Sequence, residues 1–298
     1  MTKLPLLSSR LRQNRCLDLR FQQGWSWGKS GEPIPRHVRE VVAGARARRG
    51  FKATYSPIIT LPEGQAKFSK SMRRQAGVSL APARSSGVVN VCAFAGDCTH
   101  PCVAHNGNGT YPAVARARQW RTDLLADPQT ADIAVWLIGA ELGAEAAKYP
   151  DMWVRPDTFS DLGWWGIVPS MPDHLTVGGY TKNPYVLGRA DELHEWHTAY
   201  SWNESADIRK VRLHLALGGK VAIVTDRRKG QPVTDVAARY LGVDAPVVDA
   251  DLTDEWVLAD GPLIGDLTAK GKARRLVGGR TPDVTSPRFV EEVYGNKR

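Results

Sequence analysis

The 298-residue sequence predicts an α/β fold, built as a complete or partial (β/α) barrel with a basic N-terminal extension. Two observations predict it. In the second half, short apolar runs alternate with helical patterns, as in proteins that join parallel strands by crossover helices. The first 90 residues hold 17 Lys and Arg against 4 Asp and Glu, whereas residues 91–298 hold 23 against 27. We therefore expect a basic extension over residues 1–65 and an α/β domain over residues 66–298.

The first half of the chain predicts three helices and a stretch of strand and loop. Arg36–Arg49 places valines on one helical face and arginines on the other. Residues 51–91 are predicted as strand and loop, and the apolar segment Val88–Val91 leads into Cys92. Two further helices are expected at 112–125, with Pro112 in the first turn, and from the N-cap pair Asp127-Pro128 to about residue 148.

The second half predicts the remaining strands. They are Met152–Val154, Gly163–Val168, Leu175–Val177, His197–Trp202, Val221–Val224, Ala245–Val248 and Pro262–Ile264. Because parallel α/β proteins carry their sites at the carboxyl ends of strands, polar residues that follow these strands are candidate site residues. The candidates are Asp161, Tyr180, Lys182 and Ser201 as catalytic residues, and Asn203, Asp249 and Asp251 as cofactor-binding residues. Polar residues at strand ends also cap neighbouring elements, so a structural role stays open for each.

Composition excludes several classes of protein. A hydrophobic content of 42% with ten tryptophans excludes disorder of the whole chain. No apolar run has the length of a membrane span, and the short N-terminal apolar stretch is followed by arginines rather than by a signal-peptide pattern. We expect a cytoplasmic protein without a membrane partner. The basic first third indicates an anionic partner, most simply a nucleic acid, or a solvated arm that aids solubility.

Three of the four cysteines lie within eleven residues, in the pattern C-x5-C-x3-C formed by Cys92, Cys98 and Cys102. In a cytoplasmic protein, this grouping indicates metal or cluster ligands before it indicates disulfides. A glycine-containing loop with Gly107 and Gly109 follows and leads into a predicted helix. We therefore predict a metal site at the cysteines and cofactor contacts at the two glycines.

The cysteines leave three interpretations open. On a [4Fe-4S] cluster, three thiolates hold three irons and leave the fourth iron open to a small molecule. In a zinc site, the fourth ligand is His100, His105 or the distant Cys16. In the third interpretation, the thiols are reduced and bind no metal.

A different metal site is suggested by the aspartates that follow the predicted strand Ala245–Val248. Asp249, Asp251 and Asp254 lie close together in sequence, and carboxylates hold the divalent metals used for phosphoryl transfer. This pattern predicts a metal-dependent nuclease as a further alternative. Aspartates in such a position also cap helices and turns.

Several segments carry a family resemblance: Lys67–Lys70, Gly77–Ala83, Ser86-Gly87, and Asn90–Cys92 with Cys98 and Cys102. They resemble a phage-encoded family, known mainly as a gene product of mycobacteriophages and as a domain of unknown function. The likeness covers roughly residues 65–275 and implies a phage accessory protein with a three-cysteine centre, acting in the host cytoplasm. The chain departs from the family at Arg155-Pro156-Asp157, where the family has an asparagine.

The cysteine loop also resembles that of radical S-adenosylmethionine enzymes, although their usual spacing is C-x3-C-x2-C and Pro101 replaces their frequent aromatic residue. The resemblance implies a [4Fe-4S] cluster, S-adenosylmethionine as cofactor, and Tyr180 or Ser201 near the reacting centre. We expect an enzyme of this type that acts on a nucleic acid or nucleotide. The alternative is a zinc-stabilised nucleic-acid-binding protein without catalysis.

Overall fold

The computed structural model describes residues 28–29, 31–99, 102–162, 164, 175–189, 196–203, 205–225, 227–228, 230–271 and 273–274. Cys16, His100 and most of the predicted strand Gly163–Val168 lie outside the described residues, as does most of the first half of the predicted extension.

Seven strands form one sheet in which every neighbouring pair is parallel. They are β1 (Gln75–Val78), β2 (Trp153–Asp157), β3 (Thr176–Thr181), β4 (Trp196–Ser201), β5 (Lys220–Thr225), β6 (Val247–Asp249) and β7 (Leu263–Thr268). The order is β1-β2-β3-β4-β5-β7-β6. The predicted α/β class is confirmed. Among the described strands no pairing joins β1 to β6, so this sheet is open and is compatible with a partial barrel.

Five α-helices accompany the sheet in the described part of the chain. They are α1 (Arg36–Arg48), α2 (Pro112–Ala126), α3 (Ala131–Ala146), α4 (Ile208–Ala216) and α5 (Val236–Leu241). The predicted N-cap of α3 is wrong, because Asp127 lies in the turn between α2 and α3. Its carbonyl oxygen accepts hydrogen bonds from the N–H groups of Thr130 and Ala131, and its side chain accepts one from Gln129. The helix therefore begins three residues later than predicted.

The first strand of the sheet, Gln75–Val78, lies within the stretch 51–91 that is predicted as strand and loop, whereas Val88–Val91 forms no strand. The segment before Cys92 folds back on itself instead. The Val91 N–H donates to the carbonyl oxygen of Ala83, and Ala83 has a φ of 46°. The apolar valines of this segment are thus buried in a closed loop rather than in a ladder, which their composition alone does not distinguish.

The helices pack on one face of the sheet. Residues alternate along each strand, so that Val154, Val177 and Val221 contact the helices, while their neighbours face the other way. Val38, Val42 and Ala45 of α1 are buried in the same core as α2 and α3. The described end of the predicted N-terminal extension therefore contributes to the main core.

We call the opposite side of the sheet the inner face. It carries Trp153, Tyr180, Ala199 and Ala222, and it is covered by the short 3-10 helix Asp254–Leu258. A Cβ atom on Gly265 would collide with the ring of Trp256, so a glycine is needed where that indole packs on β7. The inner face is therefore packed mainly by one loop rather than by α-helices.

All the strands end at one edge of the sheet, because all are parallel, and we call this the carboxyl edge. It receives the loops that follow each strand, which is where parallel α/β proteins build their sites. Across the part of the chain that the structure describes, no helix has the length and apolar character needed to cross a membrane.

Candidate functional site

The cysteine loop, residues 92–110, lies at the carboxyl edge beside the end of β2. Cys92 forms an isolated parallel bridge with Asp161, whose N–H donates to the carbonyl oxygen of Val91 at 2.8 Å. The Cys92 Sγ accepts a hydrogen bond from the Ala83 N–H at 3.3 Å and lies 3.5 Å from the carbonyl oxygen of Phe159. The backbone thus fixes the first predicted ligand against β2.

The three predicted cysteine ligands lie close enough to influence one another electrostatically. Burial raises the pKa of the Cys92 thiol, and the nearby Asp161 and Cys102 raise it further. Burial also raises the pKa of Cys102 to about 11, with a further contribution from Cys98, while a hydrogen bond from the Ala104 N–H lowers it. None of the three forms a disulfide, and Cys98 is exposed.

The described residues contain no group of three or more His, Cys, Asp or Glu side chains already arranged to hold a metal ion. His100, one of the candidate fourth ligands, lies outside those residues. His105 ends a short 3-10 helix, Val103–His105, directly after Cys102. The structure therefore gathers three soft donors without presenting a closed coordination shell.

A buried cation, Arg118 of α2, lies beneath the cysteine loop. Its side chain donates to the carbonyl oxygen of Ala104 at 2.9 Å and stacks on the ring of Phe159 at 4.3 Å. Burial lowers the pKa of Arg118, whereas Cys102 raises it. Within the described residues, no carboxylate forms an ion pair with this guanidinium. The guanidinium beneath the cysteine loop is therefore not compensated by any carboxylate that the structure describes.

The loop also reaches the far side of the carboxyl edge. Gly271, just after β7, packs directly against the side chain of Asn106, leaving no room for a Cβ atom. The two predicted cofactor-binding glycines have backbone roles here. Gly107 has a φ of 52°, and a Cβ atom on Gly109 would collide with the carbonyl oxygen of Ala104. A cofactor contact at these glycines stays a prediction.

The predicted residues after β2, β3 and β4 form a connected group. Asp161 accepts hydrogen bonds from the Thr181 hydroxyl at 2.6 Å and from the Lys182 N–H at 2.8 Å. The Lys182 Nζ donates to the carbonyl oxygen of Trp202 at 2.9 Å and to the Ser201 hydroxyl at 3.2 Å. Asp161, Lys182 and Ser201 are thus brought together next to Cys92.

Asn203 lies after β4 but closes its own turn. The buried side chain accepts hydrogen bonds from the N–H of Ser205 at 3.1 Å and from its hydroxyl at 3.0 Å. This Asx-type turn accounts for an asparagine at this position. A role in cofactor binding stays a prediction.

Asp157, at the end of β2, is a candidate that the strand-end pattern did not select. The buried carboxylate accepts hydrogen bonds from the Ser160 hydroxyl, the Leu162 N–H and the Trp164 indole. Burial, together with the charge of Asp161, raises the pKa of Asp157 to about 7. A carboxyl group that titrates near neutrality can accept or release a proton at physiological pH. In the sequence, Asp157 is notable only as part of the segment Arg155-Pro156-Asp157, which departs from the family pattern.

Tyr180 lies on the inner face, within a cluster of charged side chains. Its hydroxyl donates to Asp254 Oδ1 at 2.9 Å and accepts a hydrogen bond from the Trp256 indole at 2.8 Å. Lys67 and Arg155 both form ion pairs with Asp254, at 2.6 and 2.5 Å. Sequence analysis missed Lys67 and Arg155 as site residues, although Lys67 belongs to a segment that carries the family resemblance.

The three aspartates of the nuclease alternative enter two ion-pair networks, because Asp249 and Asp251 both pair with Arg227. Asp249 binds Arg227 through both carboxylate oxygens, at 2.9 and 3.2 Å. Asp251 pairs with Lys270, and Asp254 pairs with the cations of the inner face. Because each carboxylate is already engaged by a cation, the geometry gives the nuclease alternative no support.

One comparison with known proteins identifies a family. The model of the family described as Gene product 88 matches residues 52–278, which is more than half of the chain. This match confirms the predicted resemblance to a phage-type gene product family. No curated protein and no solved structure matches the chain.

Proposed function

We propose that this chain, which belongs to the Gene product 88 family, is an iron–sulfur enzyme that acts on a nucleic acid or nucleotide. In this proposal, Cys92, Cys98 and Cys102 hold a [4Fe-4S] cluster, and S-adenosylmethionine is the cofactor. The observation that carries it is the position of the cysteine loop. The loop follows the first strand and lies at the carboxyl edge of a parallel sheet, where such folds place their sites.

The residues present suit an anionic thiolate-bound cluster. Cys102 is electrostatically coupled to both Cys92 and Cys98, and backbone N–H hydrogen bonds to the sulfurs of Cys92 and Cys102 offset part of the effect of burial, which favours the thiol. Arg118 supplies a positive charge beside Cys102 that would offset a negatively charged centre. When bound, the cluster and S-adenosylmethionine would supply one-electron chemistry that protein side chains lack.

The neighbouring side chains have proposed roles of their own. The Lys182 Nζ is held at Ser201 and Trp202, and its backbone N–H binds Asp161 next to Cys92, so we assign Lys182 to orienting an anionic group of the cofactor or substrate. Asp161 keeps the loops after β2 and β3 together. Asp157 is assigned to proton transfer because its pKa is about 7.

Anaerobic purification followed by metal analysis tests the proposal. We expect about four irons and four sulfides per chain, a reduced-state electron paramagnetic resonance signal, and a change in that signal on adding S-adenosylmethionine. Replacing Cys92, Cys98 or Cys102 by Ser should each remove the iron, since an incomplete shell of ligands loses a cluster. Cys16→Ser serves as the control and should keep it. Retention of iron in all three variants would exclude these cysteines as the ligands.

A zinc-stabilised nucleic-acid-binding protein is the second candidate. The exposed arginines of α1 favour it, because they provide a surface for phosphates without catalysis. The two proposals differ in metal and in the role of the histidines. We expect His100→Ala and His105→Ala each to retain the metal. A colourless protein with one zinc that is lost in either variant would contradict the enzyme and support the binding protein.

A further inference from the structure

We propose that the inner face carries an anion site, formed by Lys67 and Arg155 beside Tyr180, that binds a phosphate group of the substrate. The choice of phosphate as the ligand rests on the proposed function. The anion site itself does not depend on a metal at the cysteines. The site lies on the face of the sheet opposite the α-helices, and three observations support it.

The first observation is the charge balance of the cluster. Lys67 and Arg155 both bind the single carboxylate of Asp254, whose side chain is fully buried. Burial alone would raise the pKa of Asp254, but the charges of Arg155 and Lys67 lower it well below its usual value. Two cations therefore share one anion. Buried charges in proteins are normally compensated, so this cluster has capacity for a second negative group.

The second observation is an unused donor. The Arg155 Nε is buried and has no hydrogen-bond partner, although the guanidinium binds Asp254 through Nη1. A guanidinium fork commonly binds phosphate or carboxylate through two donors at once. A buried N–H without a partner in a cationic cluster is a position where an anion would be bound.

The third observation is access from solvent. The Lys67 side chain is 29% exposed, whereas the Asp254 side chain is fully buried. The 3-10 helix Phe68–Lys70 begins directly after Lys67 and brings the lysine to the inner face, where its Nζ lies 5.7 Å from the centre of the Tyr180 ring. An anion entering past Lys67 would therefore meet the lysine first. This gives the Lys67–Lys70 segment, which carries the family resemblance, a role in binding.

The neighbouring aromatic groups limit the chemistry of the cluster. The Tyr180 ring lies under both cations, with the Arg155 guanidinium 4.6 Å from the ring centre. Burial raises the pKa of Tyr180 well above its usual value, so the phenol stays protonated at neutral pH. Its hydroxyl proton is donated to Asp254. The cluster is thus suited to holding an anion rather than to transferring a proton.

Titration calorimetry of the purified full chain with inorganic phosphate tests the site. Lys67→Gln should weaken phosphate binding about tenfold or more, because it removes one charge-assisted contact. Lys70→Gln is the matched control from the same segment, since that exposed lysine contacts only the carbonyl oxygen of Asp251 at 3.4 Å. The control should bind phosphate as the unmodified chain does.

Asp254→Asn gives the decisive comparison, because it should raise the affinity for phosphate, whereas Lys67→Gln should lower it. Removing the competing carboxylate should strengthen phosphate binding severalfold, whereas a purely structural ion pair predicts no gain. Adenosine monophosphate and an oligonucleotide without a terminal phosphate then distinguish a free nucleotide from a nucleic-acid backbone. Phosphate binding that is absent from both the unmodified chain and Asp254→Asn, or unaffected by Lys67→Gln, would overturn the assignment. The metal content is measured separately, so a missing cluster is a distinct result.

Discussion

Two buried arginines at the carboxyl edge have opposite surroundings. Arg227, after β5, donates to Asp266 at 2.8 Å and binds both oxygens of Asp249, and these carboxylates raise its pKa although burial alone would lower it. Arg118, under the cysteine loop, has a carbonyl oxygen and an aromatic ring as its contacts, and burial lowers its pKa. We call the β5–β7–β6 side the closed side, because carboxylates compensate its buried arginine. We call the β1–β2 side the open side, because no carboxylate in the described residues pairs with its buried arginine.

This difference in charge compensation distinguishes a side of the molecule with a structural role from the side with the proposed function. A buried cation surrounded by carboxylates needs no ligand and holds strands together. A buried cation without a carboxylate is costly unless something else supplies negative charge. We therefore place the active side of the molecule at the cysteine loop and interpret the aspartate-rich side as a structural brace.

The largest expected effect is the loss of the closed network. Arg227→Met should destabilise the fold by about 3–5 kcal/mol, because the buried Asp266 and the partly exposed Asp249 would both lose their cation. Urea denaturation measures this change. Arg239→Met is the matched control, since its pair with Asp235 is mostly exposed and should contribute less than about 1 kcal/mol. Equal losses of unfolding free energy in both variants would show that the Arg227 network stabilises the fold no more than a surface ion pair does.

Part of the pH dependence of stability should come from Asp157, on the open side. With the pKa of Asp157 raised to about 7, the folded chain binds more protons than the unfolded chain between pH 4 and 7. The unfolding free energy should therefore fall as pH rises through this range, by on the order of 3 kcal/mol. In Asp157→Asn, which keeps an oxygen acceptor for Trp164, this fall should become smaller in urea titrations at pH 5, 6, 7 and 8. It should not vanish, because burial also raises the pKa of Glu141 to about 7. The same slope in both proteins would assign the titration to another group.

Arg118→Met should cost less stability than Arg227→Met, about 1–2 kcal/mol in the metal-free chain. The variant leaves the Ala104 carbonyl oxygen without its donor but leaves no carboxylate unpaired. Urea denaturation of the two variants side by side measures the contrast between the open and closed sides. A loss as large as that of Arg227→Met would show that Arg118 is as structurally important as Arg227, and the comparison would fail.

The smallest expected effect concerns the surface of α1, where an arginine in an ion pair can be compared with one that has none. Arg36 is paired with Glu40 at 2.7 Å, whereas the exposed Arg48 has no ion pair within the described residues. If α1 contacts phosphates, Arg48→Gln should reduce the salt dependence of nucleic-acid binding by about one phosphate contact, and Arg36→Gln should reduce it less. Fluorescence anisotropy over a salt series measures both slopes. Slopes unchanged from the unmodified chain would assign the basic segment to solubility alone.

The sequence predicted the class of fold because it depends on local pattern. Alternating apolar runs and helical segments indicated parallel strands and crossovers, and six of the predicted strands overlap observed strands in the second half of the chain. The position of the first strand within residues 51–91 was left open because Gln75–Val78 has no distinctive composition, whereas Val88–Val91, which forms no strand, is rich in β-branched residues. Pairing with β2, not local preference, makes Gln75–Val78 a strand.

The candidate site was predicted in part. Residues that follow strands could be selected because parallel strands end together, and Asp161, Lys182 and Ser201 do lie together. Lys67 and Arg155 could not be selected in this way. Lys67 lies in a turn before β1 and Arg155 lies inside β2, so neither follows a strand, and both reach the inner face through tertiary packing.

By itself the sequence determined the α/β class, the cysteine grouping and the excess of positive charge in the first third, because each is a property of composition or short spacing. The tertiary structure decided which charges are compensated. The sequence alone does not distinguish Arg118 from Arg227. In the structure, Arg118 lies beside cysteines and Arg227 lies among aspartates. That difference depends on contacts between residues distant in sequence, and it decides where an anionic partner would be bound.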